Sequence, residues 1–247
     1  MPKPLPTINK NAIDVHQISV SFNSTAILED ISFAVKNGSI CAIIGPNGSG
    51  KTTLLKAILG LLKPQTGSVL FWGKNVEQTR GRIGYVPQRF NFDVRFPITV
   101  REFISLTRQR SVPKSRIEEV VQEVGLTPII LKKQLGELSG GQLQRILIAQ
   151  ALFLSPDLLI MDEPAAGIDI MGGKLFHDIL LHLNRDHNTT IVIVSHDMAF
   201  VSKIVDHVIC INKTLVCADP PKIALTEKNL KKLFEDAELS RHAHGIH

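Results

Sequence analysis

Eight consecutive residues, Gly45-Pro46-Asn47-Gly48-Ser49-Gly50-Lys51-Thr52, follow the pattern G-x-x-x-x-G-K-[ST]. An apolar run, Ile40 to Ile44, precedes them and a helical pattern, Thr52 to Leu62, follows, which is the strand-to-helix context the pattern requires. The chemistry such a segment serves is the gripping of phosphate. Its glycines let backbone N–H groups turn inward around phosphate oxygens, and the helix N-terminus adds its positive end. Lys51 would face the β/γ-phosphates and Thr52 would place a hydroxyl on Mg²⁺. Thr53 is counted with the loop, its other reading being the plain start of the helix. The competing reading of the whole segment, a glycine-rich turn with an exposed lysine, has an eight-residue match in the right context against it. A guanine nucleotide would call for N-K-x-D; the nearest candidate, Asn212-Lys213-Thr214-Leu215, has leucine where the carboxylate must stand.

A second group is acidic. Asp162 and Glu163 follow the apolar run Leu158 to Met161, and Pro164 ends it. A carboxylate at a strand end beside a phosphate loop anchors Mg²⁺. The next one, Glu163, is placed to polarise an attacking water, general-base work worth roughly 10²–10⁴-fold in rate. An acidic pair is common on protein surfaces. One that caps a buried strand needs a metal or a proton-transfer task to offset desolvation. A third group, Ser139-Gly140-Gly141-Gln142, follows Leu138 and precedes a helical pattern with apolar Leu143, Ile146, Leu147 and Ala151. It makes a second anion site at a helix N-terminus. Taken alone it is a serine N-cap followed by two glycines. Gln88 after the run Ile83 to Val86, and His196 after Ile191 to Val194, complete the polar positions at strand ends.

The elements that must hold these groups are legible as short apolar runs ending in polar or glycine-rich turns. Runs at Ile40 to Ile44, Leu158 to Met161, Ile191 to Val194 and Val208 to Ile211 suit strands buried on both faces of a parallel sheet. Helical patterns at Thr52 to Leu62, Gly141 to Leu154 and Gly172 to Asn184 separate them. In such a sheet ligands bind beyond the carboxyl ends of the strands, where Gly45, Asp162 and His196 should converge. Ile13 to Val35 alternates and turns at Asn23-Ser24, so it reads as a smaller antiparallel layer. Residues 96–150 read as an inserted helical subdomain. The expected division is an extension over 1–12, a main α/β domain over 13–220 and a charged, helical tail over 221–247 that carries His242, His244 and His247.

Composition bounds the partners. The 247 residues are 44% hydrophobic and 21% charged, which is globular rather than disordered. A net charge of +5 suits nucleotides and an anionic membrane face, and is too small and scattered to indicate nucleic acid. Met1 to Lys10 has three prolines and no apolar run, so no signal peptide is expected, and no stretch has the length to cross a bilayer. Cys41, Cys210 and Cys217 form no C-x-x-C pair and are expected to be buried, reduced thiols. A mobile tail with three histidines is more often solvated than a metal site.

From about Ile13 to about Cys217 these motifs stand in the order that resembles the ATP-binding subunits of ABC transporters. The resemblance implies an α/β fold: a P-loop NTPase with a RecA-like parallel sheet core, an N-terminal antiparallel β layer and an inserted helical subdomain. It implies ATP hydrolysis with Mg²⁺ held through Thr52, Gln88 and Asp162, catalysis by Glu163 with His196 and Gln88, and adenine stacking on Phe22, whose other reading is a core phenylalanine. Asp169 resembles the loop that crosses between subunits, although Ala166-Gly167-Ile168-Asp169 departs from the common serine-alanine-leucine-aspartate form. Ser139, Gly140, Gly141 and Gln142 would meet the nucleotide of a second copy, giving a homodimer. Membrane permease subunits would be the docking partners on the cytoplasmic face of the inner membrane, with an extracytoplasmic metal-binding protein acting indirectly. The stretch from Arg89 to Glu102, the region from Val208 to Cys217 and the tail are similar to the zinc and manganese importer branch. Zinc is the favoured cargo, with manganese, iron or another solute as alternatives. A non-transport P-loop ATPase or kinase is the distant one.

Overall fold

The computed structural model describes residues 10–88, 90–93, 95–107, 112–164, 170–196 and 198–234. Its packing divides the chain into two compact units, one of residues 1–80 with 206–247 and one of residues 81–205.

In the first unit β1 (Asn11–Phe22) and β2 (Thr25–Lys36) form a hairpin, and β4 (Thr66–Phe71) adds to the other side of β1. Asn23 and Ser24 make the two-residue turn with φ of 48° and 64°, the left-handed pair that matches the twist of flanking strands. Register sets Ile13 against Val35, Val15 against Phe33 and Ile18 against Ile31, all buried. Strand β3 (Ile40–Ile44) is buried along its whole length and runs parallel to β8 (His207–Asn212), which pairs antiparallel with β9 (Thr214–Asp219). Asp206 clamps the start of β3: its Oδ2 accepts from Ile40 N–H at 2.8 Å, and its own N–H donates to Ile40 O at 2.8 Å. Burial, and after it the charge of Asp206, pushes the Cys41 thiol up to about 12, so it stays protonated.

Helix α1 (Lys51–Ile58) is shorter than the sequence pattern suggested, which ran on to Leu62. Gly60 ends it at φ 68°, with Leu61 N–H bonded to Lys56 O at 2.8 Å and Gly60 N–H to Ala57 O at 3.1 Å. That is a Schellman stop, and the apolar Leu59, Leu61 and Leu62 beyond Ile58 had hidden it. The expectation of three reduced thiols also needs correction. Cys210 and Cys217 are disulfide-bonded, because the hairpin register sets them directly opposite on adjacent strands.

The second unit holds β5 (Ile83–Val86), β6 (Leu158–Asp162) and β7 (Thr190–Val194), all parallel, with β6 in the middle. Strands β6 and β7 are buried throughout, which accounts for the apolar runs Leu158 to Met161 and Ile191 to Val194 within them. Helices α2 (Val100–Ser105), α3 (Arg116–Glu123) and α4 (Gly140–Leu152) occupy the segment between β5 and β6; α5 (Ile170–His187) and α6 (Met198–Ile204) flank β7 in sequence. Thr99 and Glu102 cap α2 reciprocally. Arg116 joins α3 to the end of α4: Nη1 bonds Glu123 Oε1 at 2.6 Å and Nη2 donates to Leu152 O at 3.3 Å. Both side chains of that pair are about five-sixths covered, at 16% and 15% exposed.

A mostly buried ion pair is costly to break on one side and cheap to replace on both. Arg116→Leu is expected to lower the unfolding free energy in urea titration by about 3 kcal/mol, and Arg116→Leu with Glu123→Leu to recover most of that loss. Equal losses in both variants would contradict the pairing.

Candidate nucleotide-hydrolysis site

The first unit presents the phosphate loop between β3 and α1. Gly48 and Gly50 take φ of 82° and 95°, so the loop curls before the helix begins at Lys51. A Cβ at Gly45 would fall 2.2 Å from Ile211 O and 2.6 Å from Ser49 Oγ, so only glycine allows the loop to lie against β8. The Lys51 ammonium is buried and donates to Gly45 O at 2.8 Å and Pro46 O at 2.9 Å. Ser49 Oγ is buried and accepts or donates no hydrogen bond among the described residues. A buried hydroxyl with unmet capacity, a cation inside the loop and an eight-residue helix beginning there fit a triphosphate. Pro46 is buried, while Asn47 and Thr52 are exposed and Thr53 is half-buried. Phe22 ends β1 half-exposed, so it is not the core phenylalanine of the alternative reading.

The second unit gathers the carboxylates. Asp162 is the last residue of β6 and is buried. Glu163 leaves the strand at φ 49°, a left-handed turn costly for a side chain of its kind, and its N–H donates to Val194 O at 2.9 Å. That turn sets its carboxylate against His196, with Oε2 2.5 Å from Nδ1. With Glu163 ionised, Nδ1 carries the proton and Nε2 is left for a ligand. Glu163 is 11% exposed and His196 64%, so a sheltered carboxylate is paired to a ring open to solvent. Tyr85 on β5 feels the same site: burial, and then the charge of Asp162, raises its phenol above the ordinary value. Gln88 is exposed two residues beyond β5.

Ser139 is the N-cap of α4. Its Oγ accepts from Gln142 N–H at 3.3 Å while Gln142 Oε1 accepts from Ser139 N–H at 3.1 Å, a reciprocal cap. The cap and anion readings are compatible, because the cap uses Ser139 Oγ only as an acceptor and the N–H groups of the exposed Gly140 and Gly141 fall in the first helical turn, which has no partner inside the helix. Arg145, which the sequence reading passed over, steadies this end: Nη1 donates to Gly125 O at 3.0 Å and Nε to Gly141 O at 3.3 Å. Its position one helical turn beyond the two glycines was the available signal. Asp169, with Ala166, Gly167 and Ile168, lies outside the described residues, as do Arg89 and the histidines of the tail.

The ABC transporter family profile matches residues 28–166, which span the phosphate loop, the Ser139 segment and the acidic pair. The chain is an ATP-binding subunit of the ABC transporter family. As an ABC transporter ATPase it hydrolyses ATP to drive transport, and it associates with membrane permease components. Among the described residues no helix is long and apolar enough to cross a membrane. The zinc import ATP-binding protein ZnuC of Pseudomonas entomophila is 37% identical, covering 95% of this chain and 91% of its own. The zinc uptake system ATP-binding protein ZurA of Listeria innocua is 41% identical over 83% of this chain and 84% of its own. Among solved structures, cbiO1 of Clostridium perfringens, part of the transporter complex cbiONQ, superposes with a TM-score of 0.78 at 27% identity, covering 96% of this chain and all of that one. The α/β cassette fold, with parallel strands, an N-terminal antiparallel layer and helices, is thus that of the ABC ATPases.

The cap and anion roles of Ser139 separate by mutation. Ser139→Ala is expected to lower stability by about 1 kcal/mol, and Ser139→Asp to keep the cap and the stability while still losing ATP hydrolysis. Thermal unfolding and phosphate release measured on both variants check this; an active Ser139→Asp would contradict the anion role.

Proposed function

We propose that this subunit hydrolyses MgATP to power zinc uptake through a separate permease. The observation that carries the hydrolytic part is the Glu163–His196 pair at the end of β6, beside the buried Asp162. In this reading the loop from Gly45 to Thr52 holds the triphosphate, with Lys51 exchanging its carbonyl partners for phosphate oxygens. Phe22 stacks on the adenine. Thr52, Asp162 and Gln88 supply the oxygen donors that a Mg²⁺ ion prefers, and the ion, when bound, neutralises charge on the phosphate oxygens. Glu163 accepts a proton from the attacking water, and His196 keeps its carboxylate oriented while Nε2 faces the γ-phosphate.

Ser139, Gly140 and Gly141 stand exposed at the start of a 13-residue helix, which supports their use against the nucleotide of a second copy. Two ATP molecules would then join two subunits, and hydrolysis would release them. Asp169 would contribute at the same junction. Such a switch, made by phosphate contacts and lost on hydrolysis, can move an attached permease. The subunit would sit peripherally on the cytoplasmic face of the inner membrane, and an extracytoplasmic metal-binding protein would deliver the cargo. The zinc assignment rests on the two zinc-import relatives, each matched over more than four-fifths of this chain.

Glu163→Gln is expected to bind ATP, lose about 10²–10⁴-fold in hydrolysis and accumulate as an ATP-bound dimer, as read by phosphate release and size-exclusion chromatography. Lys51→Ala is expected to lose MgATP binding. Turnover near wild type in Glu163→Gln would place the base elsewhere. For the cargo, vesicles containing this subunit and its permease are expected to take up labelled zinc in an ATP-dependent manner. Uptake of manganese or iron without zinc would overturn the metal while leaving the ATPase.

A further inference from the structure

The β8–β9 hairpin packs directly behind the phosphate loop and carries the disulfide. Cys210 and Cys217 face one another across the antiparallel pair, with Cα atoms 4.9 Å apart. Two contacts of the hairpin with the loop come from residues between those cysteines, Ile211 and Lys213. Lys213, at the turn with φ 59°, donates its N–H to Ser49 O at 3.0 Å and accepts at its carbonyl from Glu29 N–H at 2.8 Å. Ile211 O lies against Gly45, where a Cβ would come within 2.2 Å. The tip of the hairpin thus fixes both the first glycine of the loop and its buried serine. Asn212 also ties the tip to Leu233, its Nδ2 donating to Leu233 O at 3.2 Å.

We propose that the Cys210–Cys217 pair is a reversible redox modification site that sets how firmly the phosphate loop holds nucleotide. The inference rests on reading that loop as the triphosphate site. Oxidation needs a low-molecular-weight disulfide as the electron acceptor. A thiolate of the pair attacks one sulfur of the acceptor and expels a thiolate, forming a mixed disulfide. The second cysteine then displaces the remaining thiol and closes the protein disulfide. Two thiols lose two protons and two electrons in all, and the acceptor leaves as two thiols; a dithiol reverses the sequence. Cys217 is the entry point, because it lies on β9, the last strand of the β3–β8–β9 set, at 7% exposure against 0% for Cys210. Cys41 offers no competing partner, being buried on β3 as a protonated thiol. In compartments kept reducing by thiol buffers, pairs of this kind are characteristically transient and redox-sensing rather than structural. Opening the bond removes the covalent restraint on the segment 211–216, so the Lys213 support of Ser49 is held by backbone bonds alone.

The test uses the full chain treated with glutathione disulfide or with dithiothreitol, alkylation mass spectrometry to score the bond, and titration with a non-hydrolysable Mg-ATP analogue. The reduced protein is expected to bind the analogue about threefold to tenfold more weakly than the oxidised one, the size of one lost hydrogen bond. Cys217→Ser and Cys217→Val should both match the reduced protein and ignore the oxidant; two variants are made so that a folding defect in one is recognised. Failure of the oxidant to form the intramolecular bond, or affinities within about twofold of each other in the two states, would overturn the proposal. Absence of analogue binding in both states would instead sink the nucleotide reading beneath it.

Discussion

The ammonium of Lys51, buried inside its own loop, is the interaction on which the rest depends. A charge removed from water must be met by dipoles or by opposite charge, and here two carbonyls of the loop, those of Gly45 and Pro46, do so. Anionic oxygens bind a cation more strongly than neutral carbonyls, so a triphosphate competes for the same ammonium on favourable terms. For that exchange to work the loop must keep its shape. Its shape is kept from behind, by Ile211 against Gly45 and by Lys213 on Ser49, and from the side by α1. In the proposed function the hairpin β8–β9 is therefore as much a part of the nucleotide site as the glycines in front of it.

The second unit is organised around a different cost. Glu163 adopts a left-handed backbone that disfavours its side chain by about 1–2 kcal/mol, and the chain tolerates this because Val194 and His196 fix both ends of the residue. The turn aims a sheltered carboxylate along the strand end instead of letting it swing into solvent. At Ser139 one group serves two needs, since the reciprocal cap with Gln142 uses the serine as an acceptor and leaves its proton to be donated. Arg145 holds the same helix start to the turn at Gly125, so the exposed amides of Gly140 and Gly141 are presented by a braced end.

How much of this could be read beforehand followed from the range of the forces involved. The loop before α1, the acidic pair at the end of β6 and the Ser139 helix start were legible because each is set by contiguous residues with few alternatives. Strands β3, β6 and β7 were legible because burial on both faces makes them apolar apart from Thr190 at the start of β7 and Asp162 at the end of β6. Non-local features were not. Strand β4 joins the antiparallel layer through pairing with β1, across the 43 residues between Phe22 and Thr66, and its sequence, Thr66-Gly67-Ser68-Val69-Leu70-Phe71, announces no partner. The Cys210–Cys217 bond depends on hairpin register with a shift between Cys210 and Ile211, which spacing alone does not give. Asn212-Lys213, dismissed as a failed guanine motif, proved to be the turn that supports Ser49. The sequence pattern of α1 outruns the helix because Leu59, Leu61 and Leu62 continue its apolar spacing past the Gly60 stop.

In the proposed function one MgATP is served by Lys51 and Thr52 together with Asp162 and Glu163. A crystal structure of the subunit soaked with Mg²⁺ and a non-hydrolysable ATP analogue tests it most directly. The account predicts the β- and γ-phosphates on Lys51, the metal among Thr52, Asp162 and the phosphate oxygens, and Glu163 facing the γ-phosphate through water. A nucleotide lodged away from the Gly45–Thr52 loop, or a metal with no link to Asp162, would contradict it.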